Sequence, residues 1–150
     1  MNVWRLVATP HADSAFDGEG AARYTGRWNP RGVRMVYTAD SLALATLELS
    51  VHLAGARMVY AAIEVAIDDA LVGALPEVQL AKGWAEDPAL TQRLGEKWTR
   101  SFSSLALRVP SSLVDARSRE CNVLISPAHP QHASIEEVQR FEVVLDERLH

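Results

Sequence analysis

The sequence predicts one α+β domain over residues 1–150, built on a central mixed β-sheet. A chain of 150 residues is the size of a single domain, and no repeat or long linker divides it. Its 48% hydrophobic and 23% charged residues are typical of a soluble globular protein. Strand and helix patterns follow one another without regular βαβ alternation, which favours the α+β class over a parallel α/β fold.

Alternating apolar residues predict the strands. The segment VWRLV at 3–7 forms a short first strand, and Val33, Met35 and Tyr37 mark a second. The clearest pattern is VYAAIEVAI at 59–67, where every other residue is apolar and faces one side. Three further strands are predicted at Leu105–Val109, Asn122–Ile125 and Phe141–Leu145.

Two helices are predicted from capping residues and apolar spacing. Asp40 or Ser41 caps a helix that runs to about Leu53. Asp87 followed by Pro88 begins the other helix, whose apolar stripe packs in the core. That stripe consists of Leu90, Leu94, Trp98 and Phe102. Between the first two strands, the Gly- and Pro-rich stretch 9–32 is expected to be a functional loop.

Charge and composition exclude several classes of function. A net charge of −4 argues against a general nucleic-acid binder, which needs a basic surface. No stretch approaches the ~18 apolar residues that span a bilayer, and the N-terminus does not resemble a signal peptide. The single cysteine, Cys121, excludes an internal disulfide and fits the reducing cytoplasm. Thirteen of the fifteen basic residues are arginine, which suits either a small anionic ligand or a solvated surface.

Glu48 is the first candidate for chemistry. It is set in SLALATLELSVHL at 41–53, a helix with almost no polar face that is expected to be largely buried, with His52 one turn later. An ionised carboxylate in apolar surroundings is costly unless it is paired or opens onto a cleft. The sequence leaves two interpretations open: a functional carboxylate, or one on a narrow exposed strip that pairs with an arginine.

The loop sequence Gly26-Arg27-Trp28-Asn29-Pro30 is the second candidate. Glycine lets the backbone approach a ligand closely, and Arg27 can hold a phosphate. Trp28 either stacks on a base or anchors the loop in the core. The usual phosphate-binding motifs, a Walker lysine motif and G-x-G-x-x-G, are absent from the sequence.

Two other motifs carry weaker signals. Pro110-Ser111-Ser112 follows a strand but lacks the G-x-S-x-G pattern of a serine hydrolase. His129 and His132 lie in SPAHPQH at 126–132, where two prolines favour a turn over a metal site.

Taken together, these segments resemble the RES family, which is named for its Arg, Glu and Ser. The resemblance covers nearly the whole chain and rests on the order and spacing of its motifs. They are Trp4-Arg5, GRWN at 26–29, VYTADSLALATLELSVHL at 36–53, RVPSS at 108–112, Asn122, SPAHP at 126–130 and DERL at 146–149. One departure is Ser126, where the family usually has asparagine.

The resemblance implies a fold similar to ADP-ribosyltransferase toxins and a bacterial toxin that degrades NAD. NAD is then the substrate, bound in a central cleft, with no separate cofactor and no metal. By position, Arg27, Glu48 and Ser111 are the catalytic residues, and Ser112 replaces Ser111 if the alignment shifts by one. The implied NAD-binding residues are Arg5, Arg27, Tyr37, Glu48, Ser111 and Asn122. The implied partner is an Xre-type helix-turn-helix antitoxin, and a homodimer is possible.

Several alternatives stay open. Water as acceptor makes the enzyme a glycohydrolase, inorganic phosphate makes it a phosphorylase, and a protein side chain makes it an ADP-ribosyltransferase. An inert NAD-binding or partner-binding module is a non-enzymatic alternative. A metal hydrolase built on His129 and His132 is the weakest.

Overall fold

The computed structural model describes residues 1–53 and 58–149, and it confirms the α+β class. The described strands form one seven-stranded mixed sheet in the order β4-β5-β6-β2-β1-β3-β7. Its pairs are antiparallel except the parallel pair of β4 and β5. The strands are β1 (Asn2–Ala8), β2 (Val36–Ala39), β3 (Val59–Ala66), β4 (Val72–Ala74), β5 (Ala106–Pro110), β6 (Cys121–Ile125) and β7 (Glu136–Val144). The helices are α1 (Glu19–Arg23), α2 (Leu42–Ser50) and α3 (Pro88–Ser101).

The centre of the sheet forms the core. Strand β3 lies between β1 and β7, and Tyr60 to Val65 are buried on both faces of the strand. The alternating pattern therefore predicted the strand correctly, although its second face is covered as well. A second core cluster combines Trp28, Met35 and Trp98 with Leu107, Val109 and Leu124 of the sheet.

Several strand and loop boundaries differ from the prediction. Strand β2 begins at Val36 rather than Val33, and β7 begins at Glu136, five residues before the predicted Phe141. The first half of β7 is exposed and charged, so it carries no apolar alternation. The three-residue strand β4 gives too short a pattern to detect. The stretch 9–32 is not wholly irregular, because it contains a 3-10 turn at Thr9–Ser14 and helix α1.

Helix α2 begins where predicted but is less buried than expected. The Ser41 hydroxyl accepts a hydrogen bond from the Leu44 amide and caps the helix. Only Leu44 and Ala45 are buried, whereas Leu47 is exposed. The expectation of a largely buried helix is wrong because α2 packs one side on the sheet, and its other side lines an open cleft.

Helix α3 also begins where predicted. Asp87 caps it by accepting a hydrogen bond from the Leu90 amide. Trp98 is in the core, but Phe102 follows the helix with a positive φ and is 51% exposed, so its predicted core position is wrong. None of the helices in the described ranges has the length and apolar character needed to cross a membrane.

Candidate active site

A cleft of about 620 Å³ opens between α2 and the beginning of α3. Strands β1 and β2 form its floor, and the loop around Arg27 forms one wall. The cleft brings together residues that are far apart in the sequence. Many of its lining residues are ones that the sequence had singled out: Trp4, Arg5, Gly26, Arg27, Trp28, Tyr37, Glu48, His52, Ser112 and Asn122.

Two neutral donors hold the Glu48 carboxylate. The Ser111 hydroxyl donates to Glu48 Oε1 at 2.7 Å, and Asn122 Nδ2 donates to the same oxygen at 2.6 Å. Within the described residues, Glu48 Oε2 has no hydrogen-bond partner. The carboxylate is therefore fixed in direction by one oxygen, while its other oxygen is available to a ligand in the cleft.

The ends of two neighbouring strands position these donors. Ser111 directly follows β5, and Asn122 lies on β6 opposite Val109 of β5. Ser111 is 5% exposed, and its hydroxyl also accepts the Leu113 amide at 3.0 Å. Ser111 thus donates to Glu48 without lining the cleft, whereas Ser112 lines the cleft itself.

Arg5 is a half-buried cation in the floor of the cleft. Its Nη1 donates to the Tyr37 carbonyl oxygen at 2.8 Å, and its Nε is buried without a hydrogen-bond partner. Burial lowers the pKa of Arg5 to about 10, against a smaller opposing effect of Asp17. The guanidinium remains charged at neutral pH, and no carboxylate in the described residues forms an ion pair with it. An anionic ligand would compensate this charge.

Arg27 supplies a second cation in the wall of the cleft. Its Nη1 donates to the Ala85 carbonyl oxygen at 2.6 Å, which ties it to the segment before α3. Arg27 also forms no ion pair within the described part of the chain. Two arginines without carboxylate partners therefore share a cleft with a partly free carboxylate.

Tyr37 fixes the loop rather than supplying a proton. Its hydroxyl accepts the Trp28 amide at 3.0 Å and donates to Asn29 Oδ1 at 2.6 Å. Burial raises the pKa of Tyr37 well above its ordinary value, although these hydrogen bonds and the charge of Arg27 oppose the shift. Tyr37 is therefore neutral over the whole physiological range.

Asn29 organises the loop, a role that the sequence did not assign. It is fully buried, and its Nδ2 donates to the carbonyl oxygens of Ala21, Pro30 and Val33. A side chain at Gly26 would collide with the Tyr37 hydroxyl and with Asn29 Oδ1, so this position requires glycine. A polar residue between Trp and Pro in a glycine-rich loop was the available signal.

Helix α3 holds the same loop from the other side. The Thr91 hydroxyl donates to the Arg27 carbonyl oxygen, and Gln92 Nε2 donates to that of Gly26 at 2.9 Å. Trp28 is 1% exposed and packs against Trp84 with ring centroids 5.8 Å apart. Of the two interpretations of Trp28, this burial favours the anchor. Sequence patterns did not indicate the lining residues Ala85, Pro88 and Gln92.

The histidines of the 126–132 segment lie in a turn. The His129 amide donates to the Ser126 carbonyl oxygen, and the His132 amide donates to that of His129. His129 Nδ1 accepts the Gln131 amide at 3.1 Å. Within residues 1–53 and 58–149, no three His, Cys, Asp or Glu side chains lie together in a way that could hold a metal ion. Ser126 is 2% exposed, and it does not line the cleft.

Cys121 is next to the site but is not a nucleophile at neutral pH. It precedes Asn122 on β6, and its amide donates to Asp40 Oδ2 at 3.0 Å. Burial and the nearby Asp40 carboxylate raise the pKa of the Cys121 thiol to about 11. The thiolate is therefore scarce at neutral pH.

The family model of the RES domain matches residues 2–146. The chain belongs to the RES domain family. This confirms the resemblance found in the sequence, and curated relatives of the RES chain agree with it. It is 34% identical over 154 residues to the protein called Toxin Res of Yersinia enterocolitica, covering 99% of both chains.

A second relative and a solved structure extend the comparison. The RES chain is 35% identical over 143 residues to the Prs ADP-ribosylating toxin of a Sphingobium species, covering 89% of this chain and 87% of the relative. Its fold matches a chain in the crystal structure of the M. tuberculosis MbcT–MbcA toxin–antitoxin complex with a TM-score of 0.74. At 21% identity, over 99% of this chain and 85% of that one, this likeness concerns the fold.

Proposed function

We propose that this RES chain is the toxin of a toxin–antitoxin system and degrades NAD in the cytoplasm by cleaving the nicotinamide–ribose bond. Water or inorganic phosphate accepts the ADP-ribosyl group. The names of its relatives support a toxin. The observation that carries the reaction is Glu48, whose carboxylate is held by one oxygen in a cleft that also contains two arginines without carboxylate partners.

Glu48 stabilises the charge that develops on the ribose. When the C–N bond breaks, nicotinamide leaves with the bonding electron pair and becomes neutral, and positive charge builds on the ribose. A fixed carboxylate stabilises this oxocarbenium-like state more than the ground state. Glu48 Oε2, which lacks a protein partner in the described residues, either faces this charge or accepts a hydrogen bond from a ribose hydroxyl.

Arg5 and Arg27 bind the pyrophosphate. Both line the cleft, and neither has a carboxylate partner in the described residues. A guanidinium offers paired donors that match phosphate oxygens. Arg5 is already desolvated, so binding a dianion there recovers electrostatic energy that burial had cost. Tyr37 packs against the nicotinamide or ribose, and Ser111 and Asn122 keep Glu48 in position.

The acceptor completes the reaction. Water attacks the ribose carbon and loses a proton, which gives ADP-ribose, nicotinamide and one proton. Inorganic phosphate attacking through one oxygen gives an ADP-ribose phosphate ester instead. His52 lines the cleft one turn after Glu48 and is a candidate for handling the acceptor's proton.

A specific observation favours a second candidate function, modification of a protein. The Sphingobium relative is called an ADP-ribosylating toxin, and the same cleft would present the same activated ribose to a protein side chain. Transfer of labelled ADP-ribose from NAD onto protein would identify this activity.

A protein partner that silences the toxin is part of the proposal. We assign this role to an Xre-type helix-turn-helix antitoxin, in keeping with the toxin–antitoxin complex that contains the structural neighbour. Leu47, Val51 and Leu113 are exposed, and the last two line the cleft. Their apolar surface suits a partner that closes the cleft.

The test is incubation of the purified chain with NAD, with and without inorganic phosphate, followed by mass-resolved chromatography. Release of nicotinamide is expected, and it should be lost in Glu48→Gln. A product that requires phosphate would identify a phosphorylase. Glu64→Gln is the matched control, because it makes the same change in a carboxylate outside the cleft. Intact NAD under both conditions, with no label on protein, would overturn the proposed function.

A further inference from the structure

We propose that Gln92 recognises the carboxamide group of nicotinamide and so determines which dinucleotides the cleft accepts, an inference that rests on the proposed function. Gln92 is half-buried in the second turn of α3. It lies four residues after Pro88, on the same face of the helix, and both residues line the cleft. A side-chain amide in this place offers both hydrogen-bond donors and an acceptor to a ligand.

One contact fixes the orientation of the Gln92 amide. Its Nε2 donates to the Gly26 carbonyl oxygen at 2.9 Å. Because a carbonyl oxygen can only accept, the nitrogen and not the oxygen must occupy this position. The Gly26 amide donates in turn to the Asn29 carbonyl oxygen at 3.1 Å, which closes a tight turn over residues 26–29, here called the Gly26 corner. The amide is therefore held against a well-connected part of the loop.

The remaining atoms of this amide form a donor–acceptor pair. Among the described residues, none donates a hydrogen bond to Gln92 Oε1, and this oxygen is not one of the polar atoms that lack both a partner and access to solvent. Nε2 keeps its second N–H. The carboxamide of a ligand has the complementary pair, an N–H that donates and a carbonyl oxygen that accepts.

The register of the sheet relates the Glu48 carboxylate to the Tyr37 ring. Asn122, which donates to Glu48, is paired with Ala39 of β2. Tyr37 is the neighbouring residue of β2 on the same face, about 6.5 Å from Ala39, and both line the cleft. A nicotinamide attached to the ribose at Glu48 therefore has the Tyr37 ring beside it.

The Gly26 corner suits the uncharged substituent of that ring. The Tyr37 hydroxyl reaches the corner, where it accepts the Trp28 amide at 3.0 Å. This hydroxyl and the Gln92 amide are both uncharged. The Arg27 guanidinium, by contrast, donates to the Ala85 carbonyl oxygen ahead of α3. The phosphates of NAD belong with the arginines, and the nicotinamide carboxamide belongs at the corner.

This contact predicts which dinucleotides are rejected. A 3-acetylpyridine analogue of NAD has nearly the same shape, but a methyl group replaces the NH₂ of the carboxamide. It cannot donate to Gln92 Oε1, which then loses its water without gaining a partner. A site built to bind a polar group discriminates against an analogue that lacks it for this reason.

The test compares the cleavage of NAD with that of the acetylpyridine analogue, in the unchanged chain and in Gln92→Met. The measured quantity is the ratio of kcat/KM for NAD to kcat/KM for the analogue, which does not depend on the fraction of folded enzyme. Methionine keeps the length and helix propensity of glutamine without its hydrogen bonds. We expect this ratio to fall about 10-fold in Gln92→Met. An unchanged ratio would overturn the proposal.

Thr91→Val is the matched control for the position of the loop. The Thr91 hydroxyl donates to the Arg27 carbonyl oxygen, and Thr91 is buried without lining the cleft. Like Gln92→Met, this change removes one hydrogen bond between α3 and the loop. Loosening the loop slows both dinucleotides, so the ratio should stay that of the unchanged chain. An equal fall of the ratio in both variants would assign the preference to the loop and contradict the role of Gln92.

A third dinucleotide identifies the ring that Gln92 contacts. Nicotinamide hypoxanthine dinucleotide keeps the carboxamide of NAD, but an oxygen replaces the amino group of its purine. The preference for NAD over this compound should be the same in the unchanged chain and in Gln92→Met. A preference that is lost in Gln92→Met would place the adenine at Gln92 and overturn the proposal.

Binding separates this proposal from the proposed reaction. Calorimetric titration of NAD and of the acetylpyridine analogue into Glu48→Gln measures the preference without turnover, and adding Gln92→Met should reduce it. If NAD binds with this preference but the unchanged chain does not cleave it, the proposed reaction fails and the role of Gln92 stands. Cleavage without the preference has the opposite meaning. A chain that binds neither dinucleotide would overturn both.

Discussion

Glu48 and Glu64 are two carboxylates that neutral side chains hold in opposite ways. Both donors to Glu48, from Ser111 and Asn122, bond to Oε1. Glu64 lies in β3 at 9% exposure, and its two oxygens are used separately. Asn2 donates to Oε1 at 3.0 Å, and Gln139 donates to Oε2 at 2.6 Å.

The difference distinguishes a carboxylate that can still accept a ligand from one whose oxygens both have protein donors. Glu64 has a donor on each oxygen and connects β1, β3 and β7. Glu48 is held firmly while one oxygen keeps its capacity to accept hydrogen bonds from a ligand. Burial alone would rank Glu64 as the better functional candidate, whereas the distribution of donors favours Glu48.

The largest expected effect is on activity. Glu48→Gln should lower the rate of NAD cleavage by about 100-fold or more, because it removes a charge that stabilises the transition state. Glu64→Gln should leave the rate unchanged. Initial rates of nicotinamide release measure both variants. Equal losses in the two would mean that the carboxylate in the cleft has no special role.

The second-largest effect is expected when the residues that donate hydrogen bonds to the two carboxylates are replaced. Ser111→Ala and Asn122→Ala each leave Glu48 with one donor, so kcat should fall about 10-fold, the effect of losing roughly 1.4 kcal/mol. Asn2→Ala removes a donor from Glu64 in the same way and is the matched control. A loss expressed in KM rather than kcat would indicate ligand binding by Ser111 or Asn122 instead of positioning of Glu48.

The free energy of unfolding should respond in the reverse order: Glu64→Gln should lower it more than Glu48→Gln does. In Glu48→Gln the remaining carbonyl oxygen can still accept both donors while the new amide faces the cleft, so the free energy of unfolding should hardly change. In Glu64→Gln one oxygen becomes a donor facing Asn2 or Gln139, and this should cost about 1 kcal/mol. Urea unfolding of both variants measures the difference. A larger loss in Glu48→Gln would show that its cleft oxygen has an unrecognised partner.

Local patterns in the sequence predicted much of the site. Glu48 was conspicuous because it interrupts an apolar helix, and Arg27 because it lies in a glycine-rich loop. Of the two donors to Glu48, Ser111 gave only a weak local signal after a strand, and Asn122 came only from the family resemblance. They meet Glu48 through the pairing of β5 with β6, a contact between residues 63 and 74 positions apart, which no local pattern contains.

The parts of the fold that the sequence did not predict also lack a local pattern. The sequence predicted the strands with apolar alternation, but not β4, which has three residues, or the charged first half of β7. Asn29 and Gln92 were missed because their bonds go to backbone carbonyl groups, and such bonds depend on loop geometry rather than residue spacing. Glu64 was missed because the apolar alternation placed it on the strand face expected to be polar, and that face is in fact covered.

The smallest expected effect concerns Cys121, which reports whether the cleft variants disturb β6. Because burial and Asp40 raise the pKa of its thiol to about 11, a pH of 8 leaves about 100-fold less thiolate than the ordinary thiol has. Alkylation of the folded chain should therefore be slow at pH 8 and should accelerate as the pH rises towards 11.

The sign of the linked stability follows from the same shift. A thiol whose pKa is raised by folding stabilises the native state below its unfolded pKa, near 9, and this contribution is lost as the pH rises through 11. Glu48→Gln and Ser111→Ala should leave the alkylation rate at pH 8 unchanged, because neither residue contacts the thiol. Faster alkylation in either variant would show that β6 had loosened, and its loss of activity would then reflect a displaced Asn122 rather than the Glu48 carboxylate.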